Sequence, residues 1–395
     1  MLILDPVFAP ILADIRRDAP ALREVIIAGQ ALEQAIAAAH EPDEHLRAGD
    51  DLAMILYTGG TTGRSKGVML SHRALMAYAL CLAGAGDAAP GACMLHTAPL
   101  FHVGAISGFL ACLLGGGRHV FLPAFEAEAV MAAIAAQRVS DVFLVPTMLQ
   151  TILDHPSFAE HDLTSVERIY YGAAPMPPAL MDRAIAAMPR VGFVQGYGMT
   201  ETSGSISLLK PADHRDPERR RSAGRAVMAI EARIVDAEDR EVPTGEIGEI
   251  VARGEAVMTG YWNRPEETAE ALRGGWMHTG DAGRMDADGY LHIVDRLKDM
   301  IITGGENVYS VEVEAVLANH PSVSQCAIVG LADARWGERV HAVVVARPGE
   351  NPDAEDIIAY MRARLAAYKC PRTVEFRSEM PLSAAGKILK AALRG

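Results

Sequence analysis

Apolar and polar positions along the chain fall into three stretches of different rhythm. From Leu2 to about residue 200, short apolar or β-branched runs alternate with helical patterns. Leu2–Leu4 and Val25–Ile27 read as strands bracketing a helix at Phe8–Arg17. Leu52–Leu56, Met94–Thr97, Val120–Leu122, Val142–Val145 and Arg168–Tyr171 read as further strands, with Ala127–Gln137 an intervening helix. That alternation predicts a mostly parallel sheet wound with helices. Between Ala229 and Val294 the rhythm changes to strands and turns, at Glu231–Val235, Gly248–Ala252 and Tyr290–Val294, which predicts a small β-barrel-like subdomain over 229–294. After Asp299 an α+β module is expected: helix Val311–Asn319, strands Gln325–Val329 and Val340–Val345, helix Ala354–Leu365 and strand Thr373–Phe376. The expected organisation is a large domain over 1–297 and a small α+β C-terminal domain over 298–395, with the boundary near Lys298.

Composition narrows the function classes. With 395 residues, half of them apolar, the chain can bury a large core divided among two or three domains. The 37 basic and 50 acidic residues leave a net charge of -13, which argues against nucleic acid or an anionic membrane as a general partner without preventing a local positive pocket. The run Arg219-Arg220-Arg221 with Arg225 reads as a solvated loop. Five cysteines, an odd number without CxxC spacing, make a disulfide framework or zinc ribbon a poor reading and fit a reducing cytoplasm. No leader pattern opens the chain, and no apolar run has the length of a membrane span. His40-Glu41-Pro42-Asp43-Glu44-His45 fails as a metal site on spacing, and Pro42 interrupts a helix, so it reads as a loop.

The chemistry concentrates first in Tyr57-Thr58-Gly59-Gly60-Thr61-Thr62-Gly63-Arg64-Ser65-Lys66-Gly67-Val68. Its glycines let backbone N–H groups approach an anion, the threonines add hydroxyl donors and Lys66 adds a positive charge, which together suit a phosphate. The spacing is not that of the ordinary P-loop. The segment resembles the phosphate loop of the adenylate-forming superfamily, which includes acyl-CoA synthetases, adenylation domains and luciferases. Gly59 replaces the usual serine and Ser65 the usual proline. Further motifs follow in that family's order: Pro99–Gly104, Tyr171–Pro175, Gln195–Thr202, His278–Asp281, Asp295–Asp299, Gly304–Asn307 and Pro381–Ile388. The likeness spans nearly the whole chain and looks strongest to fatty-acyl and aryl CoA ligases.

This resemblance implies ATP-dependent activation of a carboxylic acid as acyl-AMP, followed by transfer to coenzyme A. It places Thr58, Gly59, Gly60, Thr61, Thr62, Gly63 and Lys66 on the β- and γ-phosphates, Thr200 on the α-phosphate and Glu201 on Mg²⁺, a hard cation that prefers carboxylate and phosphate oxygens. Asp281 and Arg296 would grip the ribose; Gly172, Ala173, Ala174 and Pro175 would lie along the adenine, with Tyr197 stacking on it. Lys387 would stabilise the adenylation transition state, Lys298 would be the hinge, and Gly304 and Gly305 would line the pantetheine tunnel. His102 resembles the gate of the acyl pocket; amino-acid-activating relatives carry aspartate there, so histidine points to a simple carboxylic acid. Gly104, Ala105, Ser107 and Gly108 after it suggest a roomy apolar pocket. The implied partners are the acid, ATP and CoA, and a homodimer is compatible with them.

Only 56 residues precede Tyr57, where the family usually carries roughly a hundred more, an amount that would fill a small domain. A truncated form is therefore expected, with a compact natural variant as the alternative. Rival functions are loading of a carrier protein, luciferase-like oxidation, which no residue here announces, and nucleotide binding without catalysis by a shortened chain.

Overall fold

The computed structural model describes residues 1–39, 46–58, 65–84, 89–382 and 388–394. Two compact units emerge, Met1–Arg47 and Ala48–Gly395. In the first, β1 (Leu2–Leu4), α1 (Leu12–Asp18), β2 (Val25–Ile27) and α2 (Gln30–Ala38) follow one another, and β1 pairs β2 in parallel, so the expected βαβ start is present. Asp5 opens the connection by accepting from the Val7 N–H at 2.9 Å, and a 3-10 turn, Pro6–Ile11, precedes α1.

The larger unit begins with a hairpin, β3 (Leu52–Thr58) and β4 (Lys66–Ser71), in antiparallel register from Leu52↔Ser71 to Thr58↔Lys66. The glycine- and threonine-rich loop is thus the hairpin's connection and stands outside the wound sheet. Helix α3 (His72–Gly84) follows, then β5 (Cys93–His96), α4 (Val103–Leu114), β6 (Arg118–Phe121), α5 (Ala127–Gln137), β7 (Asp141–Phe143), α6 (Pro146–Leu153), β8 (Arg168–Gly172), α7 (Pro178–Ala187), β9 (Gly192–Met199), β10 (Gly204–Leu209) and β11 (Arg225–Ala226). These strands form one seven-stranded sheet in the order β11-β10-β9-β8-β7-β5-β6. Strands β5 to β9 run parallel, as the alternation predicted, and β10 and β11 add an antiparallel edge. A core of Leu95, Met131, Leu144, Leu149, Ile169 and Phe193 fills the space between the sheet and its helices.

Next come β12 (Glu231–Val235), β13 (Gly248–Arg253), β14 (Gly260–Tyr261), α8 (Pro265–Ala271), β15 (Met277–Met285) and β16 (Leu291–Arg296). Strands β12, β13, β15 and β16 make an open antiparallel sheet in that order, which is how the turn-rich region resolves. Strand β14 leaves it to pair with β4, Tyr261 opposite Val68, as the third strand of the hairpin sheet. Then follow β17 (Ile301–Thr303), β18 (Glu306–Val308), α9 (Ser310–Leu317), β19 (Val323–Asp333), β20 (Gly337–Ala346), α10 (Ala354–Arg362) and β21 (Thr373–Phe376), the strands forming one five-stranded sheet. Its core of Ile301, Leu317, Ile328, Val344 and Met361 comes entirely from this segment. Among the described residues no helix is long and apolar enough to cross a membrane.

The basic run departs from a plain solvated loop. Arg219–Arg221 is a 3-10 turn, Arg220 pairs with Asp182 at 2.7 Å, and the Arg219 and Arg225 guanidinium groups lie 5.2 and 4.5 Å from the Tyr290 ring.

Candidate active site

In a wound sheet, ligands gather outside the carboxyl ends of the parallel strands. Strand β8 ends at Gly172, opposite Gly196 of β9, where an added Cβ would lie 2.4 Å from the Gly196 carbonyl oxygen, so only glycine lets the strands run this close. Ala173 then takes φ 63, an uncommon conformation for a residue with a Cβ, and Ala173, Ala174 and Pro175 stand exposed. The end of β9 carries Tyr197 and leads into a 3-10 turn, Thr200–Thr202, closed by Ser203 at φ 56. Thr200 is partly exposed, while Glu201 is only 6% exposed. Glu201 is fixed twice: its carbonyl accepts from the Met258 N–H at 2.8 Å, and its Oε1 accepts from the Tyr261 hydroxyl at 2.8 Å.

Three predicted residues from distant segments meet directly. The Tyr197 hydroxyl donates to Asp281 Oδ2 at 2.9 Å, and Arg296 Nε lies 2.7 Å from Asp281 Oδ1. Asp281 and Arg296 face each other across β15 and β16, which explains why fifteen residues of sequence bring them together. Burial, then the Asp281 charge, holds the Tyr197 phenol well above its ordinary pKa, so the hydroxyl stays a donor. The turn before Asp281 is held by Glu249, whose two oxygens accept from the Gly280 N–H and contact His278 Nδ1, both at 2.9 Å.

Lys66 opens β4, and its carbonyl accepts from Thr58 Oγ1 at 3.5 Å. Its ammonium pairs with Glu267 Oε2 at 2.7 Å and sits 4.8 Å from the centre of the Tyr261 ring. His102 lies at the seven-stranded sheet instead, in the connection between β5 and α4. After β5 the chain crosses to β6 on one side, whereas β7 leads to β8 on the other, so the carboxyl ends of β5 and β7 flank a crevice at the reversal of strand order. There Thr97 Oγ1 donates to the Phe143 carbonyl at 2.5 Å, His102 stands immediately before α4 without a side-chain capping bond, and a Cβ on Gly104 would lie 3.3 Å from the Phe143 ring.

Lys298 lies in the turn between β16 and β17. Its carbonyl accepts from Arg394 Nη2 at 3.2 Å, and Arg394 also pairs with Asp299 at 2.7 Å. Desolvation lowers the Lys298 pKa, with Asp299, Arg296, Arg394 and Asp281 close enough for their charges to be felt. Just before it, the Asp295 carboxylate accepts from the Ser310 and Val311 N–H groups and so caps α9. Gly304 and Gly305 form the tip of the β17–β18 hairpin at φ 63 and 86, a two-residue turn that requires glycine-like conformations at both places; a Cβ on Gly304 would also meet the Trp336 ring at 2.8 Å. The predicted Gly59, Gly60, Thr61, Thr62, Gly63 and Lys387, and the loop His40–His45, lie outside the described residues.

Three polar residues escaped sequence reasoning: Tyr261, Glu267 and Glu249. Tyr261 belongs to a two-residue strand that carries no periodicity. The available signal was Pro265 followed by Glu266 and Glu267, a helix start just after an isolated Gly-Tyr pair. Glu249 sits in a strand, where one acidic residue carries no local mark.

The Tyr197–Asp281–Arg296 cluster lies at the carboxyl end of β9, and Tyr261 joins the buried Glu201 carboxylate to Lys66 at the start of β4. Residues 7–262 match the AMP-binding enzyme family and residues 312–387 the AMP-binding enzyme C-terminal domain. The chain is 45% identical over 350 residues to a feruloyl-CoA synthase of an Amycolatopsis species, covering 87% of this chain and 70% of that protein. It is 37% identical over 402 residues to a fatty acid–[acyl-carrier-protein] ligase of Streptomyces coeruleorubidus, covering 100% of this chain and 77% of that protein. Among solved structures, ATP-bound MatB from Rhodopseudomonas palustris superposes with a TM-score of 0.90 at 32% identity, covering 100% of this chain and 78% of that one. The chain belongs to the AMP-binding enzyme family, among the acyl-CoA synthetases of the adenylate-forming superfamily.

Proposed function

We propose that this AMP-forming acid–thiol ligase activates an aryl or fatty carboxylic acid and passes the acyl group to coenzyme A. A carboxylate oxygen of the acid attacks the α-phosphorus of ATP, the bond to the bridging oxygen breaks and pyrophosphate leaves. The CoA sulfur then attacks the acyl carbonyl, and AMP departs with the electrons of the acyl–oxygen bond. Neither step requires a protein nucleophile, so the chain's work is positioning and charge neutralisation. The observation that carries the reading is the Tyr197–Asp281–Arg296 cluster, where a carboxylate and a guanidinium suited to a ribose meet beside the strand end that bears Glu201.

In this reading Asp281 and Arg296 hold the ribose, Gly172 to Pro175 and Tyr197 flank the adenine, and Thr200 contacts the α-phosphate. Thr58, the loop Gly59–Gly63 and Lys66 hold the outer phosphates. Glu201 suits Mg²⁺: it is a buried hard-oxygen donor, and among the described residues no group of three or more acidic, His or Cys side chains offers a complete metal site, so the nucleotide's phosphates would supply the remaining ligands. The cation would neutralise phosphate charge as pyrophosphate leaves. His102, at the crevice between β5 and β7, borders the acid; Lys387 serves the first step, Lys298 is the hinge between the proposed large and small domains, and Gly304 and Gly305 admit pantetheine. A reducing cytoplasm suits the five free cysteines, and the working assembly is a monomer or a homodimer.

Carrier-protein loading is the second reading, favoured by the 37% identity to the acyl-carrier-protein ligase. Pyrophosphate release with a panel of aryl and fatty acids, followed by thioester assays on free CoA and on a carrier protein, separates the two. We expect thioester on CoA; thioester on the carrier alone would transfer the assignment to the second reading. In the same assays Lys387→Ala should lose adenylation by at least about 100-fold, several kcal/mol in the first transition state, yet accept a supplied acyl-adenylate. Equal losses in both half-reactions would remove Lys387 from that role.

A further inference from the structure

Tyr261 touches two proposed phosphate-side residues with two different parts of its side chain. Its ring face lies 4.8 Å from the Lys66 ammonium, and its hydroxyl donates to Glu201 Oε1 at 2.8 Å. The ring is itself held firmly. Strand β14 pairs with β4, Tyr261 N–H donates to Thr268 Oγ1 at 2.9 Å, and Glu267 at 2.7 Å keeps Lys66 over the ring. The residue is only 7% exposed. A phenol has one proton to give, and here it goes to one oxygen of a carboxylate in a site with little water to compete.

We propose that Tyr261 is a positioning residue for Glu201: by donating to Oε1 it fixes the carboxylate's rotation and leaves Oε2 for the divalent cation that accompanies ATP. Its ring sets the distance between that carboxylate and Lys66, so the cation and the lysine address the phosphates from a fixed spacing. The inference rests on the proposed role of Glu201. Outer partners of metal-binding carboxylates of this kind are worth about 10- to 100-fold in metal affinity or activity.

Tyr261→Phe keeps the ring, and with it the core packing and the Lys66 contact, while removing the hydroxyl. The test is Mn²⁺ binding in the presence of ATP, read by electron paramagnetic resonance, for the wild type, Tyr261→Phe and Glu201→Gln. Alongside it runs the Mg²⁺ dependence of pyrophosphate release, and thioester formation from a supplied acyl-adenylate, which needs no cation. We expect Tyr261→Phe to weaken Mn²⁺ binding and raise the Mg²⁺ requirement by about tenfold, with the second half-reaction unchanged. Weakened binding in Glu201→Gln but wild-type binding in Tyr261→Phe would overturn the proposal alone. Unchanged binding in both variants would overturn the reading of Glu201 and this proposal with it. Equal damage to both half-reactions in Tyr261→Phe would assign Tyr261 a merely structural part and overturn the proposal as well.

Discussion

At the scale of single residues, the polar groups that matter are fixed by partners far away in sequence, and some of those partnerships depend on pH. His96, 4% exposed on β5, places Nε2 3.0 Å from His119 Nδ1 and stacks on Phe121 at 4.6 Å. Burial, with a smaller contribution from the His119 charge, lowers the His96 pKa from 6.5 to about 4, and burial lowers His119 as well. The folded chain therefore resists a proton that the unfolded chain accepts. Stability is fully present above pH 6.5 and is lost as pH falls toward 4, on the order of 2 kcal/mol for His96 when its remaining contact with solvent is allowed for. Urea unfolding at pH 7 and at pH 4.5 should show a smaller loss in His96→Phe than in the wild type. Identical losses would mean that the ring takes its proton in the folded state.

At the scale of elements, what could be read in advance depended on whether an element marks itself locally. Glu231–Val235 and Thr373–Phe376 are strands at the predicted bounds, because β-branched alternation between turn residues is a local signal. Helix α4 is apolar nearly all round and offers no period to detect, so its small residues Gly104, Ala105, Ser107 and Gly108 suggest a pocket lining from sequence and no helix. The pairing of β14 with β4 had no sequence mark at all, and with it Tyr261 and Glu267 stayed hidden, whereas the Tyr197, Glu201, Asp281 and Arg296 motifs were visible by family resemblance. The proposed hinge belongs to this scale too. Asp295 of β16, before Lys298, accepts from the Val311 N–H of α9, while Asp299, after Lys298, is held by Arg394 at 2.7 Å, so a rotation at Lys298 that turned the C-terminal sheet would have to break the Asp295 bond and keep the Asp299 pair. Lys298→Pro locks φ near -65°. Pyrophosphate release should stay within about twofold of wild type while thioester formation falls by at least about tenfold. Undiminished thioester synthesis in that variant would take the hinge away from Lys298.

At the scale of the whole molecule, apolar burial is unevenly shared between the two units. The larger unit holds the main cores, including Leu95, Met131, Leu144 and Leu149 at 0% to 2% exposure, whereas Leu4 is the one buried residue among the described residues of Met1–Arg47. In that first unit Ile3, Val7, Phe8, Ile11 and Ile36 are 51%, 70%, 53%, 48% and 60% exposed. A two-stranded parallel sheet has few hydrogen bonds of its own and normally needs cover on both faces. Local opening there should cost little compared with global unfolding. Amide hydrogen exchange at β1 and β2 should therefore be faster than at β8 and β9 by about two orders of magnitude, with or without ATP and Mg²⁺. Protection at β1 equal to that at β8 would contradict this ranking. It would mean that the apolar residues of the first unit are covered in solution, and repeating the exchange at several protein concentrations would tell whether a second copy of the chain provides the cover, since only then would protection rise with concentration.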